Sequence, residues 1–273
     1  MGMDRRMSLE EAAGLVADGA RIGFGGSVGL YRRPAAFARE LIRQGRRDLD
    51  VFGVLNGIEA DLLIGAGCVR STNTSYIGFD ELGQAPNFQR AASAGEIEVN
   101  EYTEWMITAS YRAANMAIPY IPWISSRHND VTKRLGIKEV ECPYTGMPLL
   151  AVPANNLDVA VVQAERADGE GNVEISVPLD YIYDADSLLA RSARTVIVCV
   201  EEIGEVDPNR VALVGREVDA VVQVSRGAAP GGLLPAYGID RAHITEVYVP
   251  AALGGEFGAY LEEHVHGKKE TDR

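Results

Sequence analysis

The sequence predicts an α/β fold: an open, mainly parallel sheet with helices on both faces. Three observations carry that prediction. Strand-like and helix-like runs alternate from the N-terminus to about residue 118, and strands separated by helices of this size pair in parallel beneath two helical layers. A glycine-dense stretch, "RIGFGGSVGLYRRP" (21–34), joins the first strand to a helix at the strand's carboxyl end, where sites in such sheets form. With 273 residues, 47% of them hydrophobic, the chain can bury a substantial core and is expected to form one domain over 1–273.

The first helix is "SLEEAAGLVADG": Ser8 fits an N-cap, Glu11 completes a capping box and Gly19 supplies a stop. A short strand follows around Ile22 and Phe24. In "PAAFARELIRQGRRD", Phe37, Leu41 and Ile42 recur at helical spacing, Pro34 suits the first helical position and Gly45 the end. "DLDVFGVLNG" reads as a strand, "IEADLLIGAG" as a short helix and "CVRSTNTSYIG" as a strand. "APNFQRAASAGE" (helix), "IEVNEY" (strand) and "TEWMITASYRAANMA" (a longer helix) continue the alternation. From Pro119 to Pro153 proline and polar residues abound, which predicts an irregular segment over the sheet. "LDVAVVQAE" then reads as a buried strand, "ADGEGN" as a tight turn needing Gly169 and Gly171, and "VEIS" as its hairpin partner. "DADSLLARSA" is helical, "RTVIVCVEEI" a buried strand, and "VDAVVQVSRGAAPGG" a last strand entering a glycine-rich loop.

Composition removes several classes of function. A formal charge of -13 disfavours nonspecific attraction to nucleic acid or to an anionic membrane. No apolar run reaches the length of about 18 residues that a membrane span requires, and "MGMDRRMSLEEAA" has no apolar segment of a secretion signal, so a cytoplasmic location is expected. Cys68, Cys142 and Cys199 lack paired spacing and read as buried thiols, not as zinc ligands or disulfides.

Gly25, Gly26 and Ser27 are the first candidate site residues. "GFGGSVG" is neither a dinucleotide fingerprint nor a phosphate loop; it either turns a tight corner or cradles an oxyanion or thioester carbonyl with backbone N–H groups. Arg32 and Arg33, beside a helix N-terminus, read either as partners for a phosphate or carboxylate or as solvated surface charge. Asn56 and Gly57 also fall at a strand's carboxyl end. Glu101 and Glu104 straddle a strand end and a helix start; Glu101 fits a simple helix-dipole role, whereas Glu104, beside Trp105 and Met106, has neighbours that can raise a carboxyl pKa toward a catalytic range. His128 reads as pocket or surface, and His264 with His266 as tail polarity in preference to a metal site. No metal site is expected, and no G-x-S-x-G elbow marks a serine hydrolase.

Six segments in order, "DGARIGFGGSVGLYRRP", "LNGIEADLLIGAGCV", "RAASAGEIEVNEYTEW", "MAIPYIP", "CPYTGMPLLAVPANNLDVAVVQAERADGEGNV" and "ARTVIVCVEEI", resemble the α subunit of family I coenzyme A transferases, most closely the glutaconate type. The resemblance implies the architecture such enzymes share with sugar-phosphate isomerases. It also implies ping-pong transfer of coenzyme A between a carboxylic acid and an acyl-CoA, through an acyl anhydride and a glutamyl-CoA thioester. That glutamate belongs to a β subunit; "LNGIE" (55–59) stands here in place of the "ENG" nucleophile motif. The implied partner is therefore a β subunit in an α2β2 assembly, with coenzyme A esters as substrates and no permanently bound cofactor. Gly25, Gly26 and Ser27 would face the acyl group, and Arg32, Asn56, Gly57 and Arg127 would line the substrate site. The chain also resembles the α subunit of the actinobacterial steroid-ring hydrolase, which carries its functional glutamate at the position of Glu104. Both branches tend to have an arginine where this sequence has Ile124; the nearest is Arg127. A third reading is a protein that binds a coenzyme A ester without chemistry of its own.

Overall fold

A computed structural model of the chain describes residues 4–124, 129–175 and 184–267. Helix α1 (Leu9–Gly14) begins at the expected capping box, with the Ser8 hydroxyl accepting the Glu11 N–H and the Glu11 carboxylate accepting the Ser8 N–H. It stops earlier than expected, and Gly19 (φ +74°) instead serves the turn into β1 (Arg21–Phe24). Pro34 caps α2 (Ala35–Arg43) instead of occupying its first turn, and Gly45 (φ +67°) follows the end. Then come β2 (Leu49–Asn56), α3 (Ile58–Gly65), β3 (Val69–Ile77), α4 (Pro86–Ala94), β4 (Glu98–Glu101) and α5 (Glu104–Asn115). Thr103 caps α5, its hydroxyl accepting the Met106 N–H.

The segment expected to be irregular over 119–153 is ordered differently. It forms β5 (Tyr120–Trp123), α6 (Asp130–Arg134), β6 (Lys138–Glu141) and β7 (Pro148–Pro153), an antiparallel sheet in the order β5-β7-β6. The prolines sit where a missing N–H costs little: Pro122 on an edge strand, Pro148 and Pro153 at the two ends of β7. Only one face is buried, with Leu150 and Val152 packing alongside Ile137 on Met106 and Ala109 of α5. The charged residues of the three strands are all in β6 (Lys138, Glu139 and Glu141), and these, with the prolines of β5 and β7, disguise the strands in sequence.

The chain continues with β8 (Leu157–Ala167), β9 (Val173–Glu174), α7 (Ala185–Arg191), β10 (Ala193–Ile203), β11 (Val211–Leu213) and β12 (Ala220–Gln223). It ends in α8 (Val249–Leu253) and α9 (Phe257–Leu261), flanked by π-helical turns at His243–Tyr248 and Glu262–His266. The expected β8–β9 hairpin forms, with Gly171 at φ +91° in its turn; β11, which has no clear signal in the sequence, pairs antiparallel to β9. All other pairs of the large sheet are parallel, in the order β4-β3-β2-β1-β8-β10-β12. Phe37, Leu41, Ile58 and Leu62 of α2 and α3 pack on one face against Ile22, Val51 and Val159. On the other, Ile107 and Tyr111 of α5 with Leu188 and Leu189 of α7 cover Phe52, Val54, Leu157 and Ala160.

Two properties of β1 position the site. From β1 the chain moves outward through β2, β3 and β4, then returns to β8 on the other side and moves outward again through β10 and β12, so the strand order reverses at the β1/β8 pair. β1 is also short. Its last residue, Phe24, pairs with Val161, while β8 runs on to Ala167 and β2 to Asn56. The sheet therefore has a notch in its carboxyl edge at the switch point.

Candidate functional site

The glycine loop fills this notch. Its backbone is unusual: Gly26 has φ +134°, and two residues with side chains, Val28 (φ +43°) and Arg32 (φ +52°), also lie at positive φ, a conformation that persists only when surrounding contacts over-determine it. Ser27 and Tyr31 close the loop on itself, each N–H bonded to the other's carbonyl (2.9 and 3.1 Å). The glycines admit close neighbours. A Cβ on Gly25 would lie 2.5 Å from Asp186 Oδ1, one on Gly26 2.8 Å from the Arg32 carbonyl, and one on Gly29 2.2 Å from the Gly78 carbonyl.

The expectation that these backbone N–H groups stand ready for an oxyanion is not met by this geometry. The Gly25 N–H donates to the Val161 carbonyl (2.9 Å), the Gly26 N–H to Asp186 Oδ1 (2.7 Å) and the Ser27 N–H to the Tyr31 carbonyl. The Gly29 N–H is shared by the two Asp80 carboxylate oxygens, 2.9 and 3.2 Å away. These four donors are thus already engaged by other groups of the protein, three of them on β8, on α7 and just after β3.

Neither reading of Arg32 and Arg33 holds, because both are buried and internally paired. Arg32 forms an ion pair with Asp186 on α7. Arg33 turns to the opposite layer, where its Nη1 lies 3.5 Å from Glu59 Oε1 on α3 and also donates to the Gly25 carbonyl (3.3 Å), while Nη2 donates to the Val28 carbonyl. Burial pushes the Glu59 carboxyl above its ordinary range, and the adjacent Arg33 holds it back. Asp80 is likewise raised by burial, against the pull of the Gly29 N–H. Two guanidinium groups and three carboxylates thus surround one short loop.

The β2–α3 turn is built into the same structure. The Gly57 N–H donates to Glu59 Oε1 (3.1 Å), and a Cβ there would lie 1.6 Å from the Gly29 carbonyl oxygen. Asn56 is fully buried and its amide has no hydrogen-bond partner among the described residues; the same is true of Gln163 on β8. The two amides belong to the two strands that overrun β1. At the base of the notch a cavity of about 10 Å³, room for about one water, is lined by Gly25, Gly26, Val54, Leu55 and Asp186.

Glu104 is the first residue of α5, at the carboxyl end of β4. Trp105 beside it is 41% exposed and stacks on Trp123 (ring centroids 4.5 Å apart), while Met106 turns into the core under the small sheet. Glu101 is exposed at the end of β4. Arg127 and His128 lie outside the described residues. His264 meets His243 edge-to-face and lies at a tilt against Tyr260 near the C-terminus, and His266 is exposed. Among the described residues no group of three or more His, Cys, Asp or Glu is arranged to hold a metal, and no helix is long and apolar enough to cross a membrane. Cys68 and Cys199 are buried thiols outside any disulfide; Cys142, also expected to be buried, is partly exposed at the β6–β7 turn, and hydrogen bonds from Thr145 and Tyr144 lower its pKa.

Sequence reasoning missed Glu59, Asp80 and Asp186. Glu59 stands four residues after Leu55 in "LNGIE", where nothing local gives it a role. Asp186 is 154 positions from Arg32, and no local pattern connects them.

Comparison with known proteins agrees with this architecture. The family model described as coenzyme A transferase matches residues 6–224. A protein of Archaeoglobus fulgidus is 34% identical over 97% of this chain, which spans 60% of that protein's length. The A-type (α) subunit of the 3-oxoadipate CoA-transferase of Pseudomonas knackmussii is 31% identical, covering 98% of this chain and 96% of its own. The cholesterol ring-cleaving hydrolase IpdA subunit of Rhodococcus jostii is 33% identical over 82% of this chain and 79% of its own. Among solved structures, glutaconate coenzyme A-transferase from Acidaminococcus fermentans superposes with a TM-score of 0.88 at 28% identity, covering 98% of this chain and 90% of that one. A variant of the decarboxylase AibA/AibB gives 0.85 at 31% identity, covering 96% and 98%. With the family model matching most of its length and the glycine loop seated at the switch point of the sheet, the chain belongs to the coenzyme A transferase family.

Proposed function

We propose that the chain is the α half of a two-subunit acyl-CoA:carboxylate CoA-transferase, receiving the acyl group at the glycine-loop notch while a β subunit supplies the nucleophilic glutamate. The observation that carries this reading is the state of the carboxylates at the loop. Asp80, Asp186 and Glu59 each accept a backbone N–H, and two of them also face an arginine. A carboxylate that must attack a thioester carbonyl cannot also hold the loop together, so none of these three is suited to that role, which fits a nucleophile supplied by a β subunit. The likeness to proteins named as the A-type subunits of CoA-transferases supports the same division of labour.

In this reading the loop contributes shape and fixed dipoles, and Gly25, Gly26 and Ser27 allow close approach of the acyl group instead of donating free N–H groups. Arg32 supports the loop; Asn56 and Gly57 form the adjoining wall. Arg127 remains the candidate to meet the acid's carboxylate. Coenzyme A esters act as substrates, with no resident cofactor.

A second reading, a coenzyme A ester ring-opening hydrolase using Glu104, is supported by the place of Glu104 at a helix N-terminus on the carboxyl edge, together with the likeness to the IpdA protein. One experiment separates the two. The chain is co-expressed with its β-subunit gene, incubated with a panel of acyl-CoA thioesters and examined by mass spectrometry. A borohydride-sensitive coenzyme A adduct on a β-subunit glutamate, little affected by Glu104→Gln, is expected. Consumption of a cyclic coenzyme A ester without an adduct, abolished by Glu104→Gln, would replace the transferase reading. Binding of the esters with neither adduct nor consumption would leave a binding protein, and turnover by this chain alone would overturn the two-subunit scheme.

A further inference from the structure

We propose that Asp186 is the positioning residue of the glycine loop, setting the loop's conformation and with it the seat of the acyl group; its kinetic consequences rest on the transferase reading above. The carboxylate is 5% exposed and reaches both ends of the loop. Oδ1 accepts the Gly26 N–H at 2.7 Å, and Oδ2 pairs with the Arg32 guanidinium. Arg32 is at positive φ, a conformation that a residue with a side chain would leave if released, while Gly26, at φ +134°, supplies the turn at the other end, which a side chain there would not permit. Asp80, by comparison, grips the middle of the loop at Gly29.

The identity of Gly25 follows from this contact. Its missing Cβ makes room for Asp186 Oδ1, 2.5 Å from where that carbon would be, so a glycine is required here by the carboxylate whatever approaches the loop from outside. The carboxylate is also carried on a braced support: Asp184, two residues earlier, pairs with Arg112 of α5 at 2.6 Å. Asp186 lines the small cavity at the base of the notch, directly beneath Gly25 and Gly26.

The two oxygens have separable duties. Asparagine keeps an oxygen for the Gly26 N–H but presents no charge to Arg32, while alanine gives up both contacts. The test compares the wild-type α–β complex with Asp186→Asn and Asp186→Ala by amide hydrogen exchange and steady-state kinetics. For Asp186→Ala, exchange in peptides spanning residues 24–33 is expected to accelerate at least tenfold with those of α2 and β2 unchanged. A loop displaced by about 1 Å is expected to cost on the order of 100-fold in kcat. Asp186→Asn, which leaves the buried Arg32 charge unpaired but keeps the Gly26 contact, should fall between wild type and Asp186→Ala in both measurements. If Asp186→Ala fails to fold, Asp186→Asn carries the test alone, through faster loop exchange and reduced kcat. Wild-type exchange and kcat in the variant that folds would overturn the proposal. So would a loss of activity that merely tracks the unfolded fraction. Should the wild-type complex transfer no coenzyme A at all, the transferase reading fails, and the exchange data still decide whether Asp186 holds the loop.

Discussion

Gly57→Ala tests whether the β2–α3 turn and the glycine loop are one rigid body. Gly57 has φ −148°, outside the left-handed region, so what excludes a side chain there is steric. The new Cβ would stand 1.6 Å from the Gly29 carbonyl oxygen, a backbone atom that no side-chain rotation can move. Reaching an ordinary contact of 3.4 Å requires the two backbones to part by about 1.8 Å. Overpacking of this kind costs about 3 kcal/mol at its upper range, which for a chain of this size lowers the melting temperature by roughly 6–12 °C. A displacement of that size at the loop also predicts a fall in kcat on the order of 100-fold. Gly67→Ala is the control: Gly67 has φ +72° and nothing within 4 Å, so alanine there costs about 1–2 kcal/mol in backbone conformation and leaves the loop alone. Differential scanning fluorimetry and transferase kinetics on the α–β complex give both numbers. A Gly57→Ala enzyme with wild-type kcat, or one indistinguishable from Gly67→Ala in activity, refutes the reasoning.

Removing one member of the buried Arg33–Glu59 pair leaves an uncompensated group in the core, so Arg33→Met is expected to lose about 3–5 kcal/mol in equilibrium urea unfolding; a loss below about 1 kcal/mol would show that the pair is not an ion pair. Asp61, fully buried beneath Tyr248 (2.7 Å) and bonded to the Phe88 N–H, is raised by burial from 3.8 to about 6. The folded state holds this proton more tightly than the unfolded chain, so its contribution favours folding below about pH 4 and is lost as pH rises to about 6, by about 3 kcal/mol. Melting temperatures of wild type and Asp61→Asn across this interval should therefore shift in favour of the variant as pH rises, and parallel profiles would remove Asp61 as the cause.

Local chemistry carried much of the fold into the sequence. Ser8 and Glu11 cap a helix because the reciprocal bonds they make are confined to four residues, and the runs around Val51, Val161 and Val198 are apolar because a sheet covered twice leaves them no polar side. The β5-β7-β6 sheet was hidden since it buries a single face and places its prolines at an edge and at strand ends. The candidate site was legible in location and not in wiring. Glycines 25, 26 and 29 marked the place, but the notch exists because β1 stops before β2 and β8, which is a matter of register between distant strands. Arg32 and Arg33 looked like a free pair of cations because the carboxylates that engage them lie on α7 and α3, in layers on opposite faces of the sheet.

That opposed pairing has a consequence for how the protein is made. Arg33 meets Glu59 across 26 residues, so its clamp can close as soon as the first two βα units have left the ribosome. Arg32 waits for Asp186, synthesised 127 residues after Glu59. At roughly 5–20 residues per second this interval is about 6–25 s, during which the loop is fastened on one side only. Activity is then a late acquisition of the nascent chain, and a product truncated ahead of α7 would retain the α2–α3 half of the core while lacking the carboxylate that completes the loop.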